Sequence, residues 1–79
     1  MKTNLETNAI ELLEALRVTG KRWHGYNDIR TILAQLEGER EYDVDCDDVM
    51  PLVDELLGTG LLGQRVNPED RLCTQYVVA

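Results

Sequence analysis

Seventy-nine residues make one domain near the lower end of what folds alone, with room for one modest core but not for a deep cofactor pocket beside a catalytic apparatus. A hydrophobic fraction of 43% and a charged fraction of 29% exclude a disordered chain. Fifteen acids against eight bases leave a net charge of −7, which repels polyanions at long range and confines any nucleic-acid contact to a local basic patch.

The opening MKTNLETNAI has no apolar run, so no signal peptide is expected, and no apolar stretch approaches the ~18 residues of a membrane span. A cytoplasmic protein with no membrane partner is the expectation. Cys46 and Cys73 lie far apart in sequence and read as reduced thiols, with burial as the default for each.

Thr3-x-x-Glu6 fits a capping box, and Leu5, Ala9, Leu12, Leu13 and Leu16 then recur at helical spacing, widened by Ile10. The first helix is predicted over Asn4 to Thr19, stopped by Gly20. KRWHGY reads as a brief extended segment. Asn27 is expected to cap a second helix, whose apolar face is Ile29, Ile32, Leu33 and Leu36 and whose end is Gly38. In EREYDV, Tyr42 and Val44 are the expected anchors. The third helix opens within DCDD, buries Val49, Leu52, Val53, Leu56 and Leu57, and ends at Gly58 and Gly60. LLGQRV and LCTQYVVA are strand-like and NPED is a turn, so the chain closes in a β-hairpin.

Three helices followed by a two-stranded hairpin predict an α+β fold, a small winged helix-turn-helix over residues 1–79. HGYNDI at 24–29 resembles the HGY-E-I opening of helix two in PadR-like transcriptional regulators. VMPLVDELLGTGLL at 49–62 is similar to their VYPAL-x-x-L-x-x-x-GLL third helix, sharing Val49, Pro51, Leu56 and Gly60-Leu61-Leu62. Tyr76 falls where that family has a tyrosine in its last strand. The resemblance covers nearly the whole chain and implies a DNA-binding regulator. Two departures stand beside it. Family members continue into a C-terminal dimerisation helix, whereas this sequence stops at Ala79. They also carry basic residues on the third helix, and this one carries none.

The stretch DVDCDDVMPLVD, 43–54, holds five aspartates. Asp43, Asp45, Asp47 and Asp54 occupy positions 1, 3, 5 and 12 of a calcium-loop template, but Asp48 stands where the sharp turn wants glycine. No dedicated metal site is therefore expected. Helix capping by Asp45 or Asp47, with Asp48 in the first turn, explains one or two of the carboxylates. The third helix of a helix-turn-helix enters the major groove by its N-terminal residues. Here those are aspartates, and between Arg40 and Arg65 there are seven acids and no base. Such a helix is electrostatically unsuited to phosphate.

Two functional expectations follow. The first is a small acidic regulatory module acting by protein–protein interaction, on a basic or nucleic-acid-binding partner. Its candidate residues are Asp43, Asp45, Asp47, Asp48, Asp54 and Glu55, with Trp23 as a partner anchor. The alternative, implied by the PadR-like resemblance, is DNA binding through the wing and the helix-two edge, with Lys21, Arg22, His24, Arg65 and Arg71 as contacts and homodimerisation through helix one or the wing. An enzyme is not expected. There is no serine, His24 makes no zinc spacing with the cysteines, and GTGLLG lacks the lysine and preceding strand of a phosphate loop. No cofactor is expected.

Overall fold

The computed structural model describes residues 5–79. Three helices, α1 Ala9–Val18, α2 Tyr26–Glu37 and α3 Cys46–Gly58, surround one core and are closed by an antiparallel sheet. The sheet has the order β1-β3-β2, with β1 at His24–Gly25, β2 at Leu62–Asn67 and β3 at Asp70–Val78. This is the α+β arrangement of three helices and a terminal hairpin, with KRWHGY contributing a short third strand between α1 and α2.

Helix α1 starts later than its apolar spacing predicts. Asn8 caps it, accepting from the Glu11 N–H at 2.9 Å, while Glu11 reaches back to the Asn8 N–H. The residues just before lie outside the helix, where the Glu37 carboxylate, at the far end of α2, accepts from the Glu6 and Thr7 N–H groups and from the Thr7 hydroxyl. Of the expected Thr3–Glu6 box, Thr3 lies outside the described residues. Ile10 does not widen the apolar stripe and is half exposed to solvent at 52%.

Helix α2 is entered directly from the sheet. Gly25 is the N-cap, not Asn27, and the Asp28 carboxylate returns to the Gly25 N–H at 3.3 Å. Pairing of His24 with Tyr76 and Gly25 with Gln75 leaves the chain no room for another turn before the helix. Gly38 closes α2 in the left-handed conformation, φ 69°, and the next N–H, of Glu39, bonds the Ala34 carbonyl at 2.9 Å.

Between α2 and α3 a single 3₁₀ turn, Glu41–Asp43, delivers Val44 into the core. Arg30 fixes this connection, its Nε donating to the Val44 carbonyl at 2.6 Å. Tyr42 is not an anchor. Its place on the 3₁₀ turn leaves it 79% exposed.

The core is Leu12, Leu13 and Leu16 from α1, Ile29 and Leu33 from α2, Val49, Val53 and Leu56 from α3, with Val44, Leu62 and Tyr76. Burying each large aliphatic side chain contributes about 1.5–3 kcal/mol, so the three helical stripes hold the domain together. Side chains alternate across the sheet. His24, Leu62 and Tyr76 face the core, while Gly25, Arg65 and Gln75 share the outer face.

Candidate functional site: two charged faces

The aspartate-rich stretch is first of all a helix start. Asp45 is the N-cap of α3 and accepts from the Asp47 N–H at 3.0 Å. Asp48 reaches back to the Asp45 N–H at 3.2 Å and is itself buried. These two carboxylates are committed to backbone donors at the positive end of the helix. Asp48 is therefore withdrawn from the partner-facing candidates, and Asp45 is half-buried in its cap. Asp43 sits on the 3₁₀ turn beside Arg40, 3.8 Å away.

What remains exposed on α3 is one stripe. Asp47, Pro51, Asp54 and Glu55 recur at helical spacing on the side opposite Val49, Val53 and Leu56. Asp47 and Asp54 stand ~10 Å apart along the axis. No described Lys or Arg pairs with Asp47, Asp54 or Glu55. Pro51 has no N–H to give the Asp47 carbonyl one turn before it. That carbonyl lies on the exposed face, where water can satisfy it.

The basic candidates divide. Lys21 is held by Asp28, Nζ to Oδ2 at 2.7 Å, and this contact holds the Asp28 carboxyl below its usual range. Arg71 is exposed beyond the turn of the hairpin. Arg65 lies 3.8 Å from the centroid of the Trp23 ring and also donates from Nε to Gln75 at 3.0 Å. Arg22 approaches the same ring at 6.0 Å. Trp23 is half-buried, placed by the strand register on the outer face of the sheet.

His24 does not belong to this face. It is fully buried, with Nε2 3.4 Å from the Thr19 hydroxyl and Nδ1 without a described hydrogen-bond partner. Its pairing with Tyr76 turns the ring inward, so it is no DNA contact. Burial, then the nearby Lys21 charge, pushes its pKa below 6.5.

Both cysteines are exposed and free, contrary to the expectation of burial. Cys46 shares the helical spacing of Val49 and Val53 but is the first residue of α3, at the open end of the stripe, and Cys73 is exposed on β3, where its thiol donates to Asp70 at 3.3 Å. That contact raises the Cys73 pKa. Among the described residues no group of three His, Cys, Asp or Glu side chains is placed to hold a metal, and no helix is long and apolar enough to cross a membrane.

An open groove of about 560 Å³ separates the start of α2 from β3, lined by Tyr26, Asp28, Leu72 and Cys73 among others. The Cys73 thiol and the Asp28 carboxylate in its wall are engaged separately, the thiol with Asp70 and the carboxylate with Lys21. Comparison with family models, with curated proteins and with solved structures finds no match to this chain.

Proposed function

We propose that this chain is a small, acidic, cytoplasmic winged-helix module of the PadR-like kind that regulates through protein contact, with the outward face of α3 as its docking surface. The observation that carries the reading is the stripe of Asp47, Asp54 and Glu55, exposed and free of described cationic partners on the helix that would otherwise read DNA. Three carboxylates fixed on a rigid helix repel phosphate and attract a lysine- or arginine-rich protein surface. Tyr42, exposed beside Asp43 on the preceding turn, adds an aromatic contact of the type enriched at interfaces.

The alternative, DNA binding through the wing and the edge of α2, draws support from Arg22 and Arg65 meeting at Trp23. It is the weaker reading. His24 is buried, and the net charge of −7 opposes approach to a phosphate backbone.

The test is binding of a lysine-rich peptide by wild type and by the variant carrying Asp47→Lys and Asp54→Lys. Both side chains are exposed and neither makes a cap hydrogen bond, and a far-UV circular dichroism spectrum like that of wild type checks that the variant is folded. The reading expects binding by wild type, weakened by salt, and its loss in the variant. Equal binding by the two proteins refutes it.

A further inference from the structure

Four of the chain's eight Lys and Arg residues gather where α1 ends and the sheet turns outward. A hollow of about 420 Å³ is lined by apolar Leu16, Val77 and Val78 and by Arg17, Lys21 and Arg22, with no carboxylate in its wall. Val77 carries the hollow on to the outer face of the sheet, where Arg65 covers Trp23. The result is an apolar floor with a cationic rim and a tryptophan at its side. Arg17 and Lys21 do have partners, Glu14 and Asp28, but these pairs are solvent-exposed and readily exchanged. Aromatic and arginine side chains closed off from water by a partner are the usual carriers of binding energy at protein interfaces.

We propose that this basic face receives the acidic face of α3 from a second copy of the chain, so that copies join head to tail. The proposal rests on the reading of α3 as a protein-facing surface and names its partner. The chain itself supplies the complementary charge. Asp47, Asp54 and Glu55 form an anionic stripe, and no described ion pair joins that stripe to Arg22 or Arg65 within one copy. Two different patches meet in this contact, so it is heterologous and extends beyond a dimer unless the rotation closes a ring. The net charge of −7 opposes approach of two copies, but at physiological salt the Debye length is about 8 Å, and only groups in close contact still feel one another.

Sedimentation velocity from micromolar to millimolar protein tests this directly, with two variants, Arg22→Glu plus Arg65→Glu and Asp47→Lys plus Asp54→Lys. Wild type is expected to self-associate, with affinity falling roughly tenfold or more in molar salt. Each variant alone is expected to sediment as a monomer, and an equimolar mixture to associate again. That recovery also shows that both variants are folded. A wild type that stays monomeric at millimolar concentration overturns the proposal. If that monomer still binds the lysine-rich peptide through Asp47 and Asp54, the docking reading of α3 survives; if it does not, both fall. Binding of duplex DNA by the monomer through Arg22 and Arg65 overturns the proposal in favour of a nucleic-acid surface.

Discussion

The guanidinium of Arg65, on β2, lies 3.8 Å from the centre of the Trp23 ring, which enters from the opposite edge of the sheet just ahead of β1. The contact therefore bridges the two edges across β3 and covers its outer face. A partly exposed cation–π contact of this type contributes about 0.5–1 kcal/mol. Arg65→Ala should lower stability by that order and shift the emission of Trp23, the one tryptophan in the chain. Unchanged fluorescence would mean that the pair is not formed in solution.

The start of α3 depends on two carboxylates acting reciprocally. Asp45→Ala should cost about 0.5–2 kcal/mol in urea unfolding, as loss of an N-cap does. Asp48→Ala should cost a similar amount, and the double variant less than the sum, because each removes the same box. Fully additive losses would show that the two caps are independent.

His24 makes stability depend on pH. Its folded pKa lies below the ordinary 6.5, because burial and Lys21 disfavour the charged ring. The unfolded chain therefore binds the proton more readily, and its contribution to stability is present above pH 6.5 and is lost as pH falls towards the folded pKa. An NMR titration of the His24 ring should give a midpoint below 6.5. A midpoint at or above that value would place the ring in water or beside a carboxylate.

Glu37 ties the segment before α1 to the end of α2. Glu37→Ala strands the Thr7 hydroxyl, which is part of a buried residue, and removes charge-assisted hydrogen bonds worth roughly 1.5–3 kcal/mol. Amide exchange at Glu6 and Thr7 should accelerate with the same substitution. Exchange as slow as in wild type would locate their protection elsewhere.

Much of the fold was legible from periodicity. Leu12, Leu13 and Leu16, Ile29 and Leu33, and Val49, Val53 and Leu56 stand at helical spacing and form the core. Gly38 and Gly60 marked turns correctly, since each adopts a positive φ that other residues resist. Contacts between distant residues were not legible. Nothing in the sequence pairs Glu37 with Thr7, or Arg65 with Trp23, because those meetings depend on helix packing and strand register. The aspartate run shows the limit most clearly. Asp45 and Asp47 were equivalent candidates for the cap until backbone geometry chose Asp45, and that choice removed Asp48 from the surface. His24 failed as a surface base for a related reason. Strand alternation turns every second side chain inward, and the register with Tyr76 decided which.

On the function proposed above, α3 faces protein and not DNA. Fluorescence anisotropy with a random-sequence duplex, at low and at physiological salt, tests it most directly. No binding is expected at either salt concentration. Micromolar binding at low salt that falls steeply as salt rises would contradict it and restore the β2–β3 hairpin and the Arg22–Trp23–Arg65 cluster as a DNA surface.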